Sequence, residues 1–234
     1  MKIDILTLFP EMFKGALEES MLKIAREKGC VEIELYNLRE WTYDRHRSVD
    51  DKPFGGGPGM VMKVEPVDRA LADLRKGSRG ERSFAPTQAV ILLTPQGEKF
   101  EQKTARSLAQ LEHLILLCGH YEGFDERIRG LVDMEVSIGD YILTCGEIPA
   151  IVVCDAVVRL IPGVLGTGSS LKEESFDNGL LEYPQYTRPA EYKGMNVPEV
   201  LLCGDPKKID KWKREKAVER TKTRRPDLFV NRES

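Results

Sequence analysis

The sequence predicts an α/β domain, built on a mostly parallel sheet with flanking helices, followed by a small helical C-terminal domain. Short apolar, strand-like runs alternate with helical stretches over the first two-thirds of the chain, and this alternation is typical of βαβ units. The composition changes after Pro162, where Gly, Ser and charged residues replace the alternation. With 234 residues, the chain is long enough for one large domain and a small one.

The predicted elements follow one another in a regular order. Strands are expected in the apolar segments 3–9, 31–38, 89–94, 113–119 and 134–139. Helices are expected at 11–29, ended by Gly29, and at 64–76, 98–111, 124–132 and 148–161. Residues 77–88 are interpreted as a polar loop. From Pro206, a basic helix is expected to end at Pro226.

Three regions are predicted from this order. Residues 1–165 form the α/β domain and residues 166–178 a flexible, Gly- and Ser-rich linker. Residues 179–234 form a basic, mainly helical domain.

The charge is unevenly distributed along the chain. The formal net charge is −3, but residues 206–234 contain eleven Lys and Arg against five Asp and Glu. A basic segment on an acidic body indicates contact with a polyanion at one end. The alternative interpretation is a solvated helix in which Lys and Glu alternate.

Cysteine usage and hydropathy indicate a cytoplasmic protein. Five cysteines without a CxxC pair argue against a disulfide framework and a zinc site. No stretch approaches the roughly 18 uncharged apolar residues of a membrane span, and the N-terminal segment lacks the features of a secretion signal.

Glycine-containing loops follow three of the predicted strands. They are Thr94–Gly97, Cys118–Gly123 and Ser137–Leu143. Ligands of open α/β sheets bind outside the carboxyl ends of the strands, so we expect the three loops to form one binding site. Neither the P-loop nor the dinucleotide-binding fingerprint is present.

Two further features stand out. The segment VDDKPFGGGPGM (residues 49–60) combines four glycines with Phe54, Pro58 and Met60, which favours a functional loop over a plain linker. Arg159 ends an apolar helix, where a cation needs a partner. That partner is either Asp155, one turn back, or an anion.

Several ordered segments together closely resemble the bacterial tRNA (guanine-N1)-methyltransferases, the TrmD family of the SPOUT class. The resemblance covers nearly the whole chain. It rests on VDDKPFGGGPGMVMK, LLTPQG, CGHYEGFDERI, SIGDYILTCGEIPA, VVRLIPGVLG, GLLEYPQYTRP and VPEVLLCGDPKKIDKW.

The resemblance implies a knotted cofactor-binding domain and methyl transfer from S-adenosylmethionine to N1 of guanosine 37 of tRNA, just 3′ of the anticodon. It also implies a homodimer with active sites shared between subunits, and dependence on Mg²⁺, although no metal-ligand cluster is readable in the sequence. The implied cofactor-binding residues are Thr94, Pro95, Gln96, Gly97, Gly119, Tyr121, Glu122, Gly123, Ser137, Ile138, Gly139, Asp140, Tyr141, Ile142, Leu143 and Gly146.

The resemblance also assigns the catalytic roles. Glu174 matches the position of the general base that deprotonates N1, although the family has an aspartate there; Glu173 is the alternative. Arg159 matches the arginine that stabilises charge on O6, and Glu122 is a further catalytic candidate. The implied tRNA contacts are Asp50, Gly55, Gly56, Gly57 and Ser175.

Two other positions differ from the family pattern, and other functions remain open. Cys145 replaces a glycine of the third loop, so its side chain must point away from the cofactor or the loop must shift. His120 is treated as variable and not as a base. The alternatives are another SPOUT RNA methyltransferase, or a tRNA-binding protein that has lost catalysis. A nucleotide-dependent metabolic enzyme is disfavoured by the missing phosphate-binding fingerprints.

Overall fold

The protein is described by a computed structural model over residues 1–76, 87–165, 174–176 and 179–230. The chain divides into two compact units, Met1–Gly166 and Thr167–Ser234. The predicted polar loop at 77–88 and the predicted linker at 166–178 lie mostly outside the described residues, so the linker stays a prediction.

Unit 1 is built on a five-stranded sheet in which every pair of neighbours is parallel. The order of the strands in this sheet is β2-β1-β6-β5-β7, while β3 and β4 form a separate antiparallel pair. The strands are β1 (Lys2–Thr7), β2 (Glu32–Asn37), β3 (Asp50–Asp51), β4 (Val61–Met62), β5 (Gln88–Lys99), β6 (His113–Cys118) and β7 (Met134–Ser137). The predicted parallel α/β class is confirmed, and the knot implied by the resemblance stays a prediction.

Helices cover both faces of this sheet. They are α1 (Ser20–Glu27), α2 (Val64–Lys76), α3 (Gln102–Leu108) and α4 (Glu147–Val158). In the central strand β6, Leu114 and Leu116 belong to the core shared with α1, α3 and α4, while Ile115 and Leu117 belong to the core shared with α2. Burial on both faces explains why β6 is an almost continuous apolar run without alternation.

The expected helix at 11–29 is wrong in its first half. A short 3₁₀ helix spans Pro10–Phe13, and the α-helix begins only at Ser20. Gly15 lies between them at a φ of +79°, a left-handed conformation that a helix cannot contain. The helix at 64–76 is confirmed. The helix expected at 98–111 begins late, because Glu98 and Lys99 still belong to β5.

Among the described residues of unit 1, buried polar contacts also join neighbouring elements. The Thr7 hydroxyl donates to Glu147 Oε1 at 2.5 Å, which joins the end of β1 to the first residue of α4. His113 Nε2 and Asp4 Oδ2 are 2.8 Å apart between β6 and β1. Buried polar groups destabilise a fold unless they are hydrogen-bonded, so both contacts fix how neighbouring elements meet.

Unit 2 is dominated by one long helix. Its elements are β8 (Glu191–Tyr192), β9 (Met195–Asn196), α5 (Glu199–Leu202), α6 (Pro206–Arg224) and α7 (Asp227–Val230). Buried Thr221 of α6 accepts a hydrogen bond from the Leu181 backbone at 2.8 Å, and Trp212 packs on Tyr186. None of the helices that the structure describes is long and apolar enough to span a membrane.

Candidate functional site

The first predicted loop is a bulge within β5. Leu93 and Glu98 both pair with Val136 of β7, so the four residues between them, 94–97, leave the sheet. A Cβ on Gly97 would lie 2.5 Å from the carbonyl carbon of Glu135. Only glycine allows the bulge to lie this close to the β7 backbone.

The second loop is joined by its backbone to Gly146, which lies between the third loop and α4. The Gly146 N–H donates to the Gly119 carbonyl at 2.7 Å. A Cβ on Gly146 would lie 2.8 Å from Cys118 Cα, and one on Gly119 would lie 2.7 Å from the Phe124 ring. Side chains are therefore excluded where the end of β6 meets the start of α4.

The third loop is folded back on itself. The Ser137 hydroxyl donates to the Gly139 carbonyl at 3.1 Å, and the Tyr141 N–H donates to the same carbonyl at 2.9 Å. Ile142 and Leu143 follow with exposed side chains. The loop thus presents apolar side chains beside backbone polar groups.

These three loops enclose a cavity of about 430 Å³. All the predicted cofactor residues line this cavity except Gly97 and Asp140. A larger cleft, of about 1160 Å³, opens at the amino ends of β1 and β2, but it contains none of the three loops. The cavity at the carboxyl edge is the candidate site because a parallel sheet places its ligand there.

The glycine-rich hairpin formed by β3 and β4 lies against the second loop. The Met62 N–H donates to the Gly123 carbonyl at 2.9 Å, and the Glu122 N–H donates to the Met60 carbonyl at 3.0 Å. A Cβ on Gly59 would lie 2.6 Å from Glu122 Oε1. The hairpin predicted to contact RNA therefore borders the cavity predicted to hold the cofactor, and Glu122 lies between them.

The tip and base of the hairpin differ in their surroundings. Gly55, Gly56 and Gly57 are exposed and have positive φ angles. At the base, the Tyr121 hydroxyl lies near the charged groups of Asp50 and Arg39. Burial raises the pKa of Tyr121, and the Asp50 carboxylate raises it further. Tyr121 is therefore a neutral hydrogen-bonding group at neutral pH.

Arg129, which the sequence reasoning missed, lies in the cavity wall. It comes from a 3₁₀ helix at Glu126–Leu131 and hydrogen-bonds with Gln96 of the first loop and Glu135 of β7. Its partners are distant in sequence, so no motif could have identified it.

Two positions that differ from the family pattern also line the cavity. Cys145 is buried, and its thiol lies near the Glu147 carboxylate. Burial raises the pKa of this thiol, and the Glu147 contact raises it further, so Cys145 is protonated at neutral pH. The His120 ring packs between Phe9 and Tyr121, with ring centroids 4.9 Å and 4.8 Å away.

The predicted arginine does not line this cavity, although it belongs to the same unit. Arg159 follows the last residue of α4, whereas Gly146 precedes the first. Since α4 has 12 residues, its ends are about 18 Å apart at 1.5 Å per residue. Glu174 and Ser175 belong to unit 2, where the Ser175 hydroxyl accepts a hydrogen bond from the Glu182 N–H at 3.0 Å. Glu173 lies outside the described residues.

No group of three or more His, Cys, Asp or Glu side chains within the described ranges could hold a metal ion. The three glycine-containing loops form a cavity at the carboxyl edge of a parallel sheet, which is where α/β proteins usually bind small organic ligands.

Sequence comparisons identify the family. The profile described as tRNA (Guanine-1)-methyltransferase TrmD matches residues 1–231. The chain therefore belongs to the TrmD family.

Similar curated proteins carry the name tRNA (guanine-N(1)-)-methyltransferase. One from Carboxydothermus hydrogenoformans is 58% identical over 230 residues, covering 98% of this chain and 87% of that protein. One from Moorella thermoacetica is 57% identical over 231 residues, covering 98% of this chain and 90% of that protein. One from Bacillus cereus strain AH820 is 55% identical over 234 residues, covering 100% of this chain and 93% of that protein.

The packing of the first loop predicts a difference between two glycine-to-alanine variants. Gly97→Ala forces a methyl group into the β7 backbone, so we expect a loss of about 1–3 kcal/mol of unfolding free energy. Gly130→Ala is the matched control, because no atom lies within 4 Å of its Cβ. Thermal and urea unfolding measure both variants. Equal stabilities of the two variants would contradict the proposed close packing.

Proposed function

We propose that this protein transfers a methyl group from S-adenosylmethionine to N1 of guanosine 37 in tRNA. Its membership of a tRNA (guanine-N1)-methyltransferase family supports the reaction class and the tRNA substrate. The observation that carries the proposal is the convergence of the three loops on one cavity of about 430 Å³.

The cavity fits the proposed cofactor in size and chemistry. Its volume lies within the range of about 300–1,000 Å³ that is usual for small-molecule sites. Gly119 and Gly146 line the cavity with backbone that carries no side chain, and Ile142 and Leu143 line it with apolar side chains. When bound, S-adenosylmethionine supplies an electrophilic methyl group.

The chemistry requires two groups from the protein. Guanine N1 carries a proton and becomes a good nucleophile only after that proton leaves. Glu174 is the proposed general base, and a positioned base contributes a factor of about 10²–10⁴ in rate. Arg159 is the proposed donor to O6, where negative charge develops. Glu122 lines the cavity beside the hairpin, which suits a carboxylate that meets both cofactor and nucleotide.

The position of Arg159 supports a homodimer with shared sites. Its helix extends about 18 Å from Gly146, so Arg159 cannot serve the cavity of its own chain across that length. Ile148 and Val152 lie one turn apart on α4 and are 43% and 41% exposed. This apolar face supports pairing with a second copy, which would bring Arg159 to the partner's cavity.

The tRNA is proposed to contact both units. Helix α6 is rich in Lys and Arg, and such side chains bind phosphates with salt-dependent affinity. Asp50, the tip glycines 55–57 and Ser175 are the proposed contacts near the target nucleotide. If Mg²⁺ takes part, carboxylates together with the substrate would hold it. The reaction is assigned to the cytoplasm.

The reaction is tested by methyl transfer from labelled S-adenosylmethionine to two tRNA transcripts. They differ only in having guanosine or adenosine just 3′ of the anticodon. Label in the guanosine transcript alone supports the proposal. Label in both transcripts would indicate another RNA methyltransferase. Bound but unlabelled tRNA would indicate a binding protein that has lost catalysis. The glutamate at 174, in place of the aspartate of the family, favours this alternative.

The role of Glu174 is tested by Glu174→Gln, which removes the proton acceptor with little change of shape. We expect turnover to fall by a factor of about 10²–10⁴, while calorimetry shows unchanged cofactor binding. Glu173→Gln is the matched control and should retain turnover. Wild-type turnover in Glu174→Gln, or an equal loss in Glu173→Gln, would show that the assignment is wrong.

The shared site is tested by complementation between two inactive variants. Arg159→Ala removes the O6 donor. Ile142→Arg places a cation in the cavity wall, where it repels the sulfonium of the cofactor, and the side chain of Ile142 is 80% exposed, so the fold tolerates the change. Co-expression of the two variants should restore turnover that neither has alone, because each mixed dimer has one complete site. A mixture as inactive as its components would refute sharing.

A further inference from the structure

Arg129 connects three parts of the cavity wall through one guanidinium. Its Nε lies 2.9 Å from Glu126 Oε2. One terminal nitrogen donates to Glu135 and the other donates to Gln96 Oε1. The side chains of Arg129 and Glu135 are 28% and 26% exposed, so their contact is partly shielded from water and worth more than a surface ion pair. The Glu126 side chain is 82% exposed, so its contact adds less.

The three partners belong to elements that carry different cofactor loops. Gln96 lies in the first loop, Glu135 lies in β7, which leads into the third loop, and Glu126 begins the 3₁₀ helix that follows the second loop. Gly97 packs against the same stretch of β7. A Cβ atom added to Gly97 would lie 2.7 Å from the Glu135 carbonyl oxygen. Side-chain and backbone contacts therefore hold the bulge at one point of β7.

The two carboxylates beside Arg129 argue against a role for this arginine in binding an anionic ligand. Glu126 and Glu135 already neutralise the guanidinium, and a ligand carboxylate would meet their repulsion. Gln96 is the one neutral partner, and it lines the cavity. With its oxygen held by Arg129, Gln96 has its amide N–H groups left for other partners.

We infer that Arg129 is a positioning residue for the methyl donor. It holds Gln96 and the first loop in the geometry that binds S-adenosylmethionine, and it acts without touching the reacting atoms. This inference rests on the proposed function, because it assumes that the cavity holds this cofactor.

The test compares Arg129→Met with Arg127→Met. Arg127 lies on the same 3₁₀ helix and pairs with Asp125 at 2.6 Å, but its side chain is 70% exposed and does not line the cavity. Loss of charge-assisted hydrogen bonds to Gln96 should weaken cofactor binding by about tenfold in Arg129→Met. Calorimetry with S-adenosylmethionine measures this, and Arg127→Met should bind as the wild type does.

Kinetics separate positioning from a general structural role. In Arg129→Met, the KM for S-adenosylmethionine should rise while kcat at saturating cofactor and the KM for tRNA stay unchanged. A merely structural role would lower the melting temperature and the active fraction without changing the cofactor KM. Arg129→Lys keeps the charge but not the planar fork, so intermediate binding is expected.

A double-variant cycle tests whether Arg129 acts through Gln96. Gln96→Leu should weaken cofactor binding, and adding Arg129→Met should weaken it no further. Additive losses, or unchanged binding in Arg129→Met, would overturn the inference and leave the proposed function standing. Absence of cofactor binding by the wild-type protein would instead overturn the proposed function.

Discussion

The contact of backbone against backbone where β6 ends is the constraint on which the rest of the site depends. The Gly146 N–H reaches the Gly119 carbonyl at 2.7 Å, and no Cβ fits between α4 and Cys118. Gly97 makes a similar approach to β7. Because side chains are excluded at these points, the three loops can converge on one cavity.

A small set of polar contacts orients the elements around that packing. The Thr7–Glu147 hydrogen bond fixes the start of α4 against β1, and Arg129 joins the first loop to β7. The hairpin of β3 and β4 packs against the second loop and is held there by backbone hydrogen bonds at Gly123 and Glu122. As a result, the hairpin that is proposed to contact the nucleotide lies next to the cavity that is proposed to hold the cofactor.

The sequence predicts the sheet better than it predicts the site. Strand β6 is buried on both faces and is recognisable as an apolar run, and the apolar residues of β1 also predict a strand. By contrast, Gly15 breaks a helix that the hydrophobic pattern favours at 11–29. Glycines at strand ends indicate where the cavity lies, but the cofactor and the catalytic roles come from the resemblance. Arg129 could not be predicted because its partners at 96 and 135 meet only in the folded chain. The sequence also could not show that Arg159 lies far from the cavity, because this distance depends on the direction in which α4 runs.

The most direct test of the account is backbone hydrogen exchange with and without S-adenosylhomocysteine, the product form of the proposed cofactor. Slower exchange is predicted in loops 94–97, 119–123 and 138–146, with a smaller effect in the hairpin that borders them. Unchanged exchange in all three loops at saturating ligand would contradict the account, as would protection confined to the cleft at the amino ends of β1 and β2.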